Sequence, residues 1–255
     1  MKILVNINHK GGVGKTTNTI HIGAELNNRG YKVLLIDADN QCDLTVGIGV
    51  REVGNFTIID FLQRKEPIEV TPIAENFYIV PGNHNFQSPQ YDKEALKKAI
   101  DFYDLKNYFD YILIDIPPTG VNESYVSPAE LALCAADYII IPLQADMYSI
   151  KNVFPFMDSI LRIKEYNPKL NFLGMYFSNV LVNTNTFIQS YKELREKNDK
   201  IVFQAFIRRD MEVIKASYVG KTIFEYNDSS RAADDFRSLV DEILSKVKEV
   251  EQINN

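Results

Sequence analysis

The sequence has no tryptophan and only two cysteines, Cys42 and Cys134, in 255 residues. Two thiols outside any C-x-x-C pair exclude a disulfide-stapled scaffold and suit a reducing cytosol. Twelve glycines and ten prolines exclude collagen-like and low-complexity sequence. No run approaches the roughly 18 apolar residues of a membrane-spanning helix. The N-terminal MKILVNIN has one lysine and an apolar run that meets Asn6 and Asn8, so it lacks the apolar core of a signal peptide. A cytoplasmic protein is expected. Basic residues are outnumbered, 28 against 34 acidic, for a formal charge of −6. That argues against a strongly basic nucleic-acid binder.

What is present is a globular composition. Hydrophobic residues make up 45%, with 15 Phe and 14 Tyr, which excludes disorder. A chain of this length can bury about 70–75% of its surface. There is no internal repeat and no Pro/Gly/Ser-rich linker, so residues 1–255 are expected to form one domain. The longest polar loop is 83–91 (NHNFQSPQY).

The pattern alternates strand and helix. Strands are expected at 2–8, 32–37, 77–80, 111–116, 138–141 (ended by Pro142), 172–178 and 201–206. Helices are expected at 15–29, 57–64, 92–107, 127–135, 149–166 (with Pro155 inside), 187–197, 210–217 and 229–249. Consecutive Val, Ile and Leu in the strands signal burial on both faces, the mark of a parallel sheet covered on two sides. Such sheets bind ligands beyond the carboxyl ends of their strands.

The strongest local signal is Lys10-Gly11-Gly12-Val13-Gly14-Lys15-Thr16-Thr17, between the first strand and the first helix. Glycines let successive backbone N–H groups point at phosphate oxygens, and the helix N-terminus adds partial positive charge. In such a phosphate loop Lys15 reaches the β- and γ-phosphates of a nucleotide. The Thr16 hydroxyl binds Mg²⁺, and Thr17 can reach the α-phosphate. The loop departs from G-x-x-x-x-G-K-[ST], because His9 stands at the first glycine and Lys10 adds a second lysine. Two further acidic groups close apolar strands, Asp37 with Asp39 and then Asp115.

K-G-G-x-G-K-T-T after Asn8 resembles the deviant phosphate loop of the ParA/MinD family of ATPases. The resemblance implies an α/β P-loop fold, with a doubly wound, mostly parallel sheet and helices on both faces. It implies ATP and Mg²⁺ as ligands, and a homodimer with ATP sandwiched between subunits. Lys10 would reach across that dimer to the partner's phosphates, neutralising charge in phosphoryl transfer. Asp37-Ala38-Asp39-Asn40-Gln41 is similar to the family's D-x-D-P-Q-G-N. Asp37 would then lie near the Mg²⁺ water shell, and Asp39 would orient or activate the attacking water. Asn40, Cys42 and Asp43 replace Pro, Gly and Asn, which keeps the carboxylates and alters the loop between them. Asp115, at the end of the fourth expected strand, matches D-x-P-P with Pro117 and Pro118 and would hold Mg²⁺ through water.

The resemblance runs on to the C-terminus. Asn179, with Arg209 and Asp210, is the candidate for adenine contact, although Arg208 replaces the proline of the family's I-P-R. Family members include partition ATPases, a membrane-cycling division-site selector and iron–sulfur relatives. Residues 222–255 carry four basic and eight acidic residues, a net −4 that anionic lipid would repel. Cys42 and Cys134 do not match a cluster-binding arrangement. Residues 192–221 carry eight basic and five acidic residues, a net +3 in an acidic chain. Arg208, Lys215, Lys221 and Arg231 are the DNA-binding candidates, acting nonspecifically and with salt dependence. No helix-turn-helix module is expected ahead of the phosphate loop. The expected function is a slow, nucleoid-associated ParA-type partition ATPase, stimulated by a centromere-binding ParB-like partner, with no membrane contact. A MinD-like membrane-cycling or other cargo-positioning ATPase is the alternative within the fold. A non-catalytic nucleotide-dependent interaction module is the alternative outside it, and there Asp39→Ala would leave activity in cells intact.

Overall fold

The computed structural model describes residues 1–122 and 124–254. Among them seven strands form one sheet: β1 (Lys2–Asn6), β2 (Val33–Asp37), β3 (Thr71–Ala74), β4 (Phe77–Val80), β5 (Tyr111–Asp115), β6 (Tyr138–Leu143) and β7 (Asn171–Phe177). The order is β3-β4-β2-β5-β1-β6-β7. Every neighbouring pair is parallel except β3–β4 at one edge.

Side chains alternate across a strand, so each run of consecutive apolar residues feeds two cores. Ile3, Val5, Ile112 and Ile114 enter one core, with α3 (Ile58–Leu62), α4 (Ala95–Phe102), α5 (Pro128–Ala135), α6 (Met147–Leu161) and α7 (Asn185–Asn198). Leu4, Leu35, Tyr111 and Leu113 enter the other, with α1 (Lys15–Asn28), α2 (Asp43–Gly47), α8 (Met211–Tyr218), α9 (Ile223–Asn227) and α10 (Arg231–Asn254). This is the doubly wound, mostly parallel architecture with helices on both faces. The loops after β1, β2 and β5 therefore share one end of the sheet.

Several elements differ from the sequence expectation. Residues 201–206 do not form a strand. They touch β7 through one isolated bridge, Met175 to Val202, and a second bridge joins Val180 to Arg208 just beyond both segments. Their other side is held by α10, since the Glu242 carboxylate accepts from Gln204 N and Ala205 N, both at 2.9 Å. Pro142 does not end β6, which continues to Leu143. Its carbonyl still serves as an acceptor, for Asn8 Nδ2 at 2.8 Å. The stretch 92–107 is not one helix. The left-handed Asp104 (φ 50°) separates α4 from a short 3₁₀ turn at Leu105–Asn107. Expected helix 149–166 becomes α6 followed by a 3₁₀ turn at Arg162–Glu165. Pro155 is accommodated on the exposed face of α6. The short α2, β3 and α9 add to the expected elements, so Asp115 ends the fifth strand rather than the fourth.

Two loops on the α1 side meet backbone to backbone. Gly49 (φ +86°) follows α2, and Gly220 (φ +68°) lies between α8 and α9. A Cβ on Gly220 would sit 2.6 Å from Gly49 Cα, and one on Gly49 would overlap the Gly220 carbonyl.

Candidate nucleotide site

The chain leaves β1 and curls through residues 9–14 before α1 begins at Lys15. Gly12 (φ +73°) and Gly14 (φ +87°) adopt backbone that a Cβ disfavours, and a Cβ on Gly14 would stand 3.0 Å from Ser178 Oγ. The start of α1 is pinned from below by a buried polar network. Asn18 Nδ2 donates to Tyr176 Oη (2.8 Å) and Ser178 Oγ (2.9 Å). Tyr176 Oη donates to Asn6 Oδ1 at 3.2 Å, and Asn6 Nδ2 donates to the Lys15 carbonyl at 3.3 Å. Gln144 Nε2 donates to the Gly12 carbonyl at 2.9 Å from the opposite wall. These contacts brace the loop and the start of α1 from both sides.

The carboxylates lie where β2 and β5 end side by side, with Asp37 paired in register with Asp115. Asp115 Oδ2 accepts from the Thr16 hydroxyl at 2.7 Å. Asp115 Oδ1 is buried and has no hydrogen-bond partner among the described residues. Asp37 Oδ2 accepts from Thr45 N (2.9 Å) and Thr45 Oγ1 (2.6 Å), and Asp37 Oδ1 accepts from Asp39 N at 3.2 Å. Asp39 Oδ1 accepts from Gln41 N at 2.9 Å. Burial pushes the Asp37 carboxyl up to about 6, and burial plus the neighbouring Asp37 charge pushes Asp115 well above the carboxylate range. Asp39 is also raised, chiefly by burial. Lys15 is lowered by burial against the pull of Asp115 and Asp39. An orphaned carboxylate oxygen, a neighbouring threonine hydroxyl and crowded negative charge form the hard-oxygen setting that suits Mg²⁺. Thr16, Asp37 and Asp115 are the residues here able to hold it, directly or through water.

The two loop lysines point to different places. Lys15 Nζ lies inside the loop and donates to the Lys10 carbonyl at 3.3 Å. Lys10 Nζ rests on the first turn of α6, donating to Asp146 Oδ2 (2.8 Å) and Ser149 Oγ (3.1 Å). On the other side of the loop, a cavity of about 280 Å³ is lined by Gly12, Thr17, Asn179, Arg209, Asp210 and Ile214. The structure thus brings the three adenine candidates together beside the phosphate loop. Asn179 is left-handed (φ 55°), and Asp210 caps α8 through Glu212 N. A larger open groove of about 780 Å³ runs along α10, lined by Asp199, Asp235, Asp241, Glu242 and Glu249 with three basic residues. Its carboxylates would repel phosphate, and it lies away from the loop.

The DNA candidates are less free than their charges suggest. Arg208 forms a bidentate pair with Asp235, its Nη2 to Oδ1 at 2.6 Å. Lys215 pairs with Glu212 at 2.7 Å, and Arg231 reaches Asp210 at 3.5 Å. Lys221 is exposed and makes no ion pair among the described residues. Sequence reasoning missed Thr45, Asn18, Tyr176, Asp146 and Ser149. Their only signal is a polar residue in an otherwise apolar setting, plain for Tyr176 and Asn18 and hidden for Thr45 by the unexpected α2.

A glycine loop between a strand and a helix, faced by carboxylates from two neighbouring strand ends, defines a P-loop nucleoside-triphosphatase. A family model described as an AAA domain matches residues 1–172. The chromosome-partitioning ATPase Soj of Thermus thermophilus is 31% identical over 247 residues, covering 95% of each chain. A plasmid partition protein of Borrelia burgdorferi, solved with AMPPNP, superposes with a TM-score of 0.78 at 21% identity, covering 96% of this chain and 99% of that one. The septum site-determining protein MinD of Pyrococcus horikoshii, solved with Mg-ADP, gives 0.76 at 25% identity over 95% of each chain. The chain belongs to the ParA/MinD family of P-loop ATPases, and its partitioning relatives make it a ParA-type ATPase.

Proposed function

We propose that residues 1–255 act as a single domain that binds ATP and Mg²⁺ and dimerises with the nucleotides between the subunits. The dimer holds DNA without sequence preference and drives plasmid or chromosome partition. Hydrolysis is slow until a centromere-binding ParB-like partner stimulates it and releases the dimer.

The observation that carries this reading is the divided placement of the two lysines. Lys15 Nζ is inside its own loop, where it meets the phosphates of its own nucleotide. Lys10 Nζ is outside, on Asp146 and Ser149, with its side chain about 36% exposed. From that rim it is free to exchange one carboxylate for a phosphate of the facing subunit. Mg²⁺, when bound, offsets charge on the β- and γ-phosphate oxygens. The N–H groups of residues 11–17 cradle the phosphates, Thr16 and Asp115 orient the metal's surroundings, and Asp37 keeps Thr45 and the following loop in place. Asp39 orients the attacking water. Asn179, Arg209 and Asp210 receive the base.

DNA attachment draws on Lys221 first, with Arg208, Lys215 and Arg231 adding field from their ion pairs. The apolar face of α10 is spent on the core, with Phe236, Leu239, Val240 and Ile243 fully buried. Among the described residues no helix is long and apolar enough to cross a membrane. The burial of that apolar face favours DNA over lipid as the surface on which the protein cycles.

The test is retention on nonspecific DNA with ATP, ADP or no nucleotide, across a salt series. Retention with ATP alone, falling steeply with salt, is expected. Pelleting with anionic liposomes in place of DNA would overturn the partition reading and favour a MinD-like cycle.

A further inference from the structure

The loop that bears Asp39 lacks the proline and glycine that its resemblance leads one to expect, and Cys42 stands in the left-handed region (φ 60°). A residue with a Cβ is disfavoured there, so the loop needs outside support to hold this shape. That support comes from the segment after β4, at residues 82–84.

Two contacts made by residues 82–84 clamp the loop at both ends. At the far end, Gly82 N donates to Thr45 Oγ1 at 2.9 Å, and Thr45 Oγ1 donates to Asp37 at 2.6 Å. Gly82 lies so close that a Cβ would stand 2.9 Å from both Asp37 and Cys42 Sγ. At the near end, His84 Nδ1 lies 2.9 Å from the Asn40 carbonyl. A carbonyl only accepts, so the ring nitrogen donates and the proton sits on Nδ1. The Cys42 thiol approaches the same carbonyl at 3.7 Å and the same ring nitrogen at 3.8 Å. The clamp has a firm base. Asn83 Nδ2 donates to Thr57 Oγ1 at 3.2 Å, and Phe86 is buried in the core beside α3. His84 itself is exposed, so it contributes little to packing.

We propose that His84 is a positioning residue for ATP hydrolysis. By holding the Asn40 carbonyl it fixes the peptide next to Asp39, and so the direction of the Asp39 carboxylate toward the attacking water. This rests on the reading of Asp39 as the group that orients that water. The assignment belongs to this chain's own loop, since it follows from Asn40, Cys42 and His84 together.

The test compares His84→Ala, His84→Phe and His84→Asn with wild type in MgATP hydrolysis. Asparagine can place its amide N–H where His84 Nδ1 stands, whereas phenylalanine keeps the ring without the donor. His84→Ala and His84→Phe should lower kcat about tenfold with KM for ATP nearly unchanged, as expected when a reacting group is misplaced. His84→Asn should restore most of kcat. In a Cys134→Ala background, a thiol reagent should label Cys42 several-fold faster in the His84→Ala protein. Wild-type kcat in His84→Ala and His84→Phe would overturn the assignment, as would a His84→Asn variant no better than alanine. Asp39→Ala is measured beside them. If it hydrolyses ATP like wild type, the reading of Asp39 falls. If it is inactive while His84→Ala is unaffected, only the role of His84 falls.

Discussion

At the scale of single residues, buried ionisable groups record what this fold holds without water. His21 is fully buried on α1, where its Nδ1 accepts from Ile223 N at 3.3 Å and its ring lies 4.7 Å from Phe236. Burial lowers it to about 3, from an ordinary value of 6.5. The folded protein therefore keeps His21 neutral while the unfolded chain takes up a proton. Its contribution is complete above about pH 6.5 and is lost as pH falls, at about 1.4 kcal/mol per unit. His21→Asn, which retains an acceptor, should match or trail wild type at pH 8. It should gain on wild type by about 2 kcal/mol at pH 5 in urea unfolding. Asp115 carries the opposite sign. Its raised pKa means that the nucleotide-free fold loses stability as pH rises above the ordinary carboxylate range. With metal chelated, Asp115→Asn should melt higher than wild type at pH 8, with the gap closing near pH 4. The same variant should lose the extra stabilisation that Mg²⁺ gives in the presence of ADP. A variant that melts lower at pH 8 would show that the unpartnered Oδ1 is not a source of instability.

At the scale of elements, the phosphate loop, α1, β2, β4 and β5 were legible because local pattern and tertiary environment agree there. The interior of each central strand is apolar, and the acidic residues Asp37 and Asp115 stand at strand ends. Legibility failed where a partner distant in sequence decides the outcome. Residues 201–206 have the composition of a strand, but Glu242 on α10 takes two of their N–H groups. α2 and α9 have five residues each, too short for any periodicity to show. Asp39 and Asp115 are marked by their places at the ends of apolar strands and by the family resemblance, whereas Thr45 and His84 are not, since each matters only through the loop it touches. The Glu242 contact also finishes the sheet. The segment 201–208 flanks β7 at one edge, and at the other edge Pro72 interrupts β3. Glu242→Ala should cost about 1–2 kcal/mol by leaving two donors without an acceptor. Glu242→Gln, which keeps one acceptor oxygen, should lose less, and thermal unfolding of the two variants checks the order.

At the scale of the whole molecule, the formal −6 charge says less about partners than where the unpaired positive charge lies. Lys221 should act as a phosphate contact in the ATP-bound dimer. Lys221→Ala should weaken binding to any DNA sequence alike and reduce the salt slope by about one for each phosphate no longer neutralised. Arg208→Ala should instead destabilise the fold, because it strips Asp235 of its bidentate partner. Lys10→Ala should still bind ATP and remain monomeric in sedimentation, whereas wild type with ATP should sediment as a dimer. The contact between Gly49 and Gly220 joins these regions. One loop continues from the stretch that carries Asp37 and Asp39, and the other leads from α8 past Lys221. Neither residue has a side chain, so no rotamer stands between the two backbones to absorb a displacement. The loops must travel together or part. A single methyl at either site has nowhere to go unless the opposite backbone retreats, which leaves the pair in a mutational dead end, each glycine fixed by the other.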